Sequence, residues 1–175
     1  APIVHDPRLA AAPAANDFTY AHDPNGERCP MGAHIRRANP RDALGDDPSE
    51  SLKVAQRHRL LRRGRPYYAT PHDRGLHFIA LNASIARQFE FIQQNWINDP
   101  TFNGLSSEDD PLIGPRQGPA RDGRFTLPPP PENRVARRIP GFDRFVNVRG
   151  GGYFFLPSLT ALRYLATLGN QKGNP

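Results

Sequence analysis

From Pro100 to Pro140 the chain runs without any hydrophobic period and carries four consecutive prolines at 128–131. Proline fixes φ and has no N–H for a helix or a ladder, so this stretch is expected as a structured loop or polyproline segment. A connection that long inside a compact domain is usually functional or lies over a partner. It limits what remains for a core. Only 37% of the 175 residues are hydrophobic, 20 are Pro and 15 are Gly, which implies one modest core with long coil segments. A small core is marginal alone and gains from burying its apolar face against a cofactor or a second polypeptide.

Periodicity marks the regular elements on both sides of that loop. After a turn at Asp73-Arg74-Gly75, residues 76–82 place Leu76, Phe78 and Ala80 on one face and His77, Ile79 and Leu81 on the other, as a strand does. Ile85, Phe89, Ile92 and Trp96 recur at helical spacing, which predicts a helix over 84–95 with Ser84 as its N-cap. Leu159, Leu162, Leu165 and Leu168 predict a second amphipathic helix, capped by Ser158 and expected to stop at Gly169. Residues 53–68 read as a strand entering a turn at Gly64 and Pro66, 33–37 as a brief helical turn or strand, and 145–148 as a strand before a triple glycine. This layout is α+β.

Lys and Arg total 23 against 17 acidic residues, a net charge of +6, and nearly all the cations are Arg. Arg forks suit anionic partners, but aromatics are not interleaved with the basic residues and no reader motif stands out, so nucleic acid is not expected. Cys29 is the single cysteine, so an intrachain disulfide is excluded and the compartment stays open. No apolar run approaches the length of a membrane span and no signal peptide opens the sequence, while the lack of an initiator Met hints at cleavage.

The six His and the lone Cys form no Cys-x-x-Cys or His-x-x-x-His pair, and neither a Gly-x-Ser-x-Gly elbow nor a phosphate loop is present. Two basic clusters remain, CPMGAHIRRANPR at 29–41 and HRLLRRGRPYY at 58–68. A His among arginines has two readings. It is a structural His, or it is the axial ligand of a haem, which needs one His and has propionates that Arg can meet.

The string CPMGAHIRR resembles the Cys-Pro-x-x-Ala-His-Ile-Arg motif of dye-decolourising peroxidases. LLRRGRPY at 60–67, GLHFIALNASIARQFEFIQQNW at 75–96, DDPLIG at 109–114 and VRGGGYFFLPSLTALRYLA at the end are similar to that family's later segments, in order. The resemblance runs from about Cys29 to Ala166. It implies a ferredoxin-like antiparallel sheet with helices on one face, as the C-terminal half of a two-domain peroxidase, and a haem b cofactor. The implied organisation is an extended segment at 1–27 packing on a partner, a haem-binding domain at 28–169 and a tail at 170–175.

The resemblance further makes His34 the proximal iron ligand, with Asp110 as the candidate acceptor for its other ring nitrogen. It makes Arg62, twenty-eight residues after His34, the distal Arg that polarises bound peroxide. Leu76 and Phe78 match the apolar pair lining the distal face, and Arg36, Arg37 and His58 are candidates for the propionates. Tyr67, Tyr68, Trp96, Tyr153 and Tyr164 are oxidisable residues, either packing or relays toward bulky dyes. One departure stands out: the family's distal Asp lies in a Gly-x-x-Asp-Gly motif upstream of the proximal His, and no such motif precedes His34. Arg121-Asp122-Gly123 lies downstream, with the wrong spacing from Gly118. The expectation is therefore a peroxidase part whose N-terminal partner chain, a separate gene product or a cleavage product, supplies the distal Asp. Its substrates would be hydrogen peroxide and an aromatic reductant. The alternatives are a non-catalytic haem carrier or sensor, and a basic structural or nucleic-acid-binding protein without haem.

Overall fold

The computed structural model describes residues 18–115, 123–129, 135–141 and 143–171. Expectations for 1–17, for Gly118 and the Arg121-Asp122 pair, for prolines 130 and 131 and for 172–175 lie outside the described residues. The architecture is α+β. In chain order it has α1 (His34–Ala38), α2 (Pro48–Arg57), β1 (Leu61–Tyr68), β2 (Arg74–Leu81), a helix α3 in two segments (Ala86–Glu90 and Ile92–Ile97), a 3-10 turn (Phe102–Gly104), β3 (Phe125–Leu127), β4 (Arg137–Ile139) and α4 (Leu159–Gln171). The small antiparallel sheets and their helices agree with a ferredoxin-like domain of the dye-decolourising type. Within the described residues they form two separate two-stranded sheets, β1–β2 and β3–β4.

Several local expectations change on folding. The Lys53–Arg57 part of the expected strand belongs to α2, whose N-cap Asp47 accepts from the N–H groups of Ser49 and Glu50 at 2.8 and 3.2 Å, with Pro48 at the first helical position. Gly64 and Pro66 do not break β1. They lie inside it, opposite Phe78 and Leu76, and the chain reverses instead at 69–73, where the Ala69 N–H bonds the Asp73 carbonyl at 2.8 Å. The helix over 84–95 forms, but with i to i+5 winding, as in the Glu90 N–H bonding the Ile85 carbonyl and the Asn98 N–H bonding that of Gln93. The N-cap is Ile85 and not the expected Ser84, whose hydroxyl makes only a long contact of 3.4 Å with the Arg87 N–H. Residues 145–148 are coil rather than strand, and α4 continues past Gly169 to Gln171.

The core is one cluster, Ala55, Ile92, Trp96, Ile97 and Phe102, with Leu44, Leu60 and Ile113 packed against it. It sits where α2, α3 and the loop after α3 meet. His58 closes one side of it, its ring stacked 3.7 Å from that of Phe91 and edge-on to Trp96. Residues 18–27, expected to lie on a partner, are tied to the chain's own body: the Tyr20 N–H donates to Asp42 Oδ1 at 2.7 Å, and the Tyr20 ring is buried.

The β1–β2 hairpin stands outside this core. Every residue of its two strands is exposed except Tyr67 and Ala80, which are half-buried, and Leu61, Leu76, Phe78, Ile79 and Leu81 are each 45% exposed or more. Residues 153–168 add a second exposed apolar run that includes Phe154, Phe155 and Leu159. Among the described residues no helix is long and apolar enough to cross a membrane.

Because the core is a single small cluster, Trp96→Ala is expected to cost about 3–5 kcal/mol, with the cavity felt by His58 and Phe91. Urea denaturation of the full protein checks this. A loss below about 1 kcal/mol would mean that Trp96 does not anchor the core.

Candidate functional site

His34 is the first residue of α1, a helix of five residues that lacks a side-chain N-cap. So short a helix has no stability of its own. Its position is fixed by the two residues that follow the His-Ile pair, Arg36 and Arg37, both fully buried.

Arg36 reaches back to the N-terminal loop. Its Nη1 donates to the Cys29 carbonyl at 2.9 Å and to Asp23 Oδ2 at 3.2 Å, and its Nη2 donates to the Asp23 carbonyl at 3.0 Å. The guanidinium lies 4.3 Å from the centre of the Tyr20 ring. The Asp23 carboxylate also accepts from the N–H groups of Arg28 and Cys29, so it organises the turn that enters the motif.

Arg37 reaches forward. Its Nη1 donates to the carbonyls of Trp96, Ile97 and Asp99 at 3.0, 3.2 and 2.8 Å, and its Nη2 to that of Glu108 at 2.8 Å. A cation at the carbonyl end of α3 is favoured by the helix dipole as well as by hydrogen bonding. Burial pulls the Arg37 guanidinium below its ordinary value, while Asp110, Glu108, Asp99 and Asp109 hold it up. Both arginines were expected near haem propionates. In the structure both guanidinium groups are fully buried, with their terminal nitrogens bonded to backbone carbonyls and, for Arg36, to the Asp23 carboxylate as well.

Two residues beyond Glu108, Asp110 turns its carboxylate toward His34. His34 Nδ1 lies 2.9 Å from Asp110 Oδ2, and Oδ1 accepts from the N–H groups of Leu112 and Ile113, both at 2.9 Å. Asp110 is fully buried, whereas the His34 side chain keeps 27% of its surface. A carboxylate with both oxygens accepting calls for a proton on Nδ1, which leaves Nε2 with its lone pair. Among the described residues nothing hydrogen-bonds Nε2. That is the arrangement of an imidazole held by a second group and offered to a metal. Among the described residues no three His, Cys, Asp or Glu side chains converge, so a metal here would have to come with most of its own ligands. The donor set therefore fits a haem iron.

Arg62, Leu76 and Phe78 come together on the hairpin. In the register Arg62 faces Ala80, Gly64 faces Phe78 and Pro66 faces Leu76, and directly opposed residues share a face. One face of the hairpin thus carries a guanidinium followed by two large apolar side chains. Gly64 leaves room for them, since a Cβ there would meet Leu76 Cδ1 at 3.2 Å. His58 is not a member of this group. Its Nδ1 is paired with the Arg87 carbonyl and its ring is stacked on Phe91.

Sequence reasoning found His34 and Asp110 but missed the residues that position them. Asp23 and Gly114 are the main omissions. A Cβ at Gly114 would lie 2.6 Å from the Asp110 carbonyl oxygen and 2.7 Å from its nitrogen, so the loop that presents the carboxylate closes only around glycine. The closely spaced turn residues in DDPLIG were the available signal.

No family model matches the chain. It is 38% identical over 171 residues to the multifunctional dye peroxidase DyP2 of Amycolatopsis, covering 87% of this chain and 36% of that protein. It is 34% identical over 183 residues to the dye-decolorizing peroxidase Msp1 of Mycetinis scorodonius, covering 93% and 34% respectively. The fold superposes on the DyP-type peroxidase of Anabaena with a TM-score of 0.63 at 28% identity, over 77% of this chain and 30% of that one. The chain spans about a third of the length of the curated relatives it matches.

Gly114→Ala is expected to displace Asp110 from His34 and to lower stability by about 2–4 kcal/mol, with His34 becoming more reactive to diethyl pyrocarbonate. Unchanged melting and unchanged modification would contradict the close approach described. Over most of its residues, then, in sequence and in fold, the chain is dye-decolourising peroxidase in family, matching about one third of such a protein.

Proposed function

We propose that this chain supplies the haem-holding part of a dye-decolourising peroxidase that reduces hydrogen peroxide and oxidises dyes or phenolic compounds. The single observation that carries the reading is the His34–Asp110 pair, in which a buried, doubly anchored carboxylate fixes the imidazole so that Nε2 is the free donor. His34 would bind the iron of haem b through that atom. The haem supplies the redox chemistry when bound, and the chain's residues bind, orient and charge its surroundings.

In this reading Asp110 increases electron donation from His34 by drawing on the Nδ1 proton. Arg62 would supply a permanent cation able to stabilise negative charge developing on a bound peroxide, and Leu76 and Phe78 on the same face would exclude water and bulky molecules. Arg36 and Arg37 position the helix that carries His34. The acid that moves the peroxide proton would come from protein outside these residues, in the same polypeptide or in a separate N-terminal partner chain. The exposed apolar surface of the hairpin supports a further protein layer over it.

The test is the absorption spectrum of the whole assembled protein reconstituted with haem. A Soret band is expected, and His34→Ala should abolish or strongly shift it. Asp110→Asn should keep the haem but move its reduction potential in the positive direction, since a neutral acceptor withdraws less of the Nδ1 proton. Arg62→Ala should keep the Soret band and slow the reaction with peroxide by about a hundredfold or more. A haem-free protein would sink the reading, and a haem protein without peroxide turnover would make the chain a carrier.

A further inference from the structure

We infer that Met31, the sole methionine of the chain, is an oxidative modification site: hydrogen peroxide converts its thioether to the sulfoxide, and the added oxygen loosens the packing of the proline-rich segment on the turn that leads into His34. The inference goes beyond the peroxidase reading and needs no haem.

Met31 is half-buried and forms part of the wall of a cavity of about 180 Å³. Leu105, Pro128, Pro129 and Ala136 line the same cavity, so the first two of the four consecutive prolines lie over the methionine. Hydrogen peroxide is little larger than a water molecule, whose share of liquid volume is about 30 Å³, and fits there easily. At the sulfur, the Asn103 side-chain N–H donates to Met31 Sδ at 3.3 Å. Asn103 is exposed and has a φ of 51°, in the left-handed region that asparagine tolerates better than most residues. A thioether is a weak acceptor and a sulfoxide oxygen a strong one, so this donor favours the oxidised side chain.

The chain holds one other sulfur, Cys29, two residues earlier and also half-buried. A thiol reacts with peroxide as the thiolate, and burial pushes the Cys29 thiol up. A thioether has no proton to lose. Met31 is therefore the sulfur that reacts first at neutral pH.

In the step a sulfur lone pair attacks one peroxide oxygen. The S–O bond forms as the O–O bond breaks, and the second oxygen leaves with both hydrogens as water. Sulfur is oxidised by two electrons and the peroxide is reduced by two. The product puts a polar oxygen among apolar side chains. The main chain at this point has little room to yield. The Ala33 N–H bonds the Pro30 carbonyl at 2.9 Å, and a Cβ at Gly32 would lie 3.2 Å from Glu108 Oε2 and 3.3 Å from Phe125 Cε2. The β3–β4 side of the cavity, with Pro128 and Ala136, gives way instead.

The experiment treats the full protein with hydrogen peroxide beside free methionine as an internal standard, maps the digested protein by mass spectrometry and follows its melting in parallel. One oxygen is expected on Met31, at a rate near that of free methionine, equal at mildly acidic and mildly alkaline pH, and before Cys29 is modified. The melting midpoint should fall by about 2–4 °C, and a methionine sulfoxide reductase should restore it. Met31→Leu, which conserves volume, should melt as the parent does and lose the response to peroxide. His34→Ala should still gain the oxygen on Met31, since transfer to sulfur passes through no haem. Met31 left intact while the free methionine is consumed, an oxidation lost in His34→Ala, or a sulfoxide that leaves melting unchanged would each overturn the inference. A protein that binds no haem yet is oxidised at Met31 would remove the peroxidase reading and leave this one standing.

Discussion

The position of the candidate ligand depends on one buried side chain, Arg37. Its guanidinium gathers four backbone carbonyls from two separate places, the end of α3 and the loop at Glu108. Each of those carbonyls would be costly to bury unpaired, and removing the cation would strand all four. The same contacts determine where Asp110 can be, since it follows Glu108 by two residues. His34 precedes Arg37 by three, on the same short helix. The distance between the imidazole and its carboxylate is thus set by a residue that touches neither. A helix of one turn needs such an anchor, and Arg36 supplies the second by pairing with Asp23 on the other side.

This arrangement divides the described residues into two unlike parts. The half of the molecule around α1, α3 and the 99–114 loop is dense with buried polar contacts and keeps the His34 imidazole in one tautomer. The hairpin has the opposite character, with exposed apolar side chains and few contacts to the core. A two-stranded ribbon of this kind is marginal by itself, and its twist and faces are suited to being covered. On the proposed reading, the exposed face that carries Arg62, Leu76 and Phe78 would be covered by haem, protein or both. Phe78 meets Phe89, Phe89 meets Tyr153, and Arg149 pairs with Asp73 at the hairpin tip, so both ring contacts and an ion pair link the hairpin to later segments.

Reading the sequence succeeded where the signal was local. The alternation over 76–82 and the heptad-like spacing around Trp96 each mark an element that forms, because side-chain period follows directly from backbone geometry. It failed at β1, where Gly64 and Pro66 look like a break. They are tolerated because the ribbon has free edges, and a proline there forfeits no essential ladder bond. It failed again at α2, whose Asp47-Pro48 start is a clear capping signal, overshadowed by the basic run that follows. The strand expected at 145–148 has two β-branched residues, Val146 and Val148, but forms no ladder among the described residues, and a strand exists only in a ladder.

What the sequence determined by itself is the likeness to a family: the His34 motif, the Arg62 cluster and the acidic DDPLIG turn appear in the order of dye-decolourising peroxidases. What only the tertiary structure decided is which arginines are free. Arg36, Arg37 and Arg62 look alike in the sequence, each a cation beside a candidate site. Folding buries the first two against carbonyls that no sequence period reveals, because those acceptors lie up to 71 residues away, and leaves Arg62 on an open face. A guanidinium's role follows from which of its donors are already satisfied, and that is a property of the packed chain rather than of the residue.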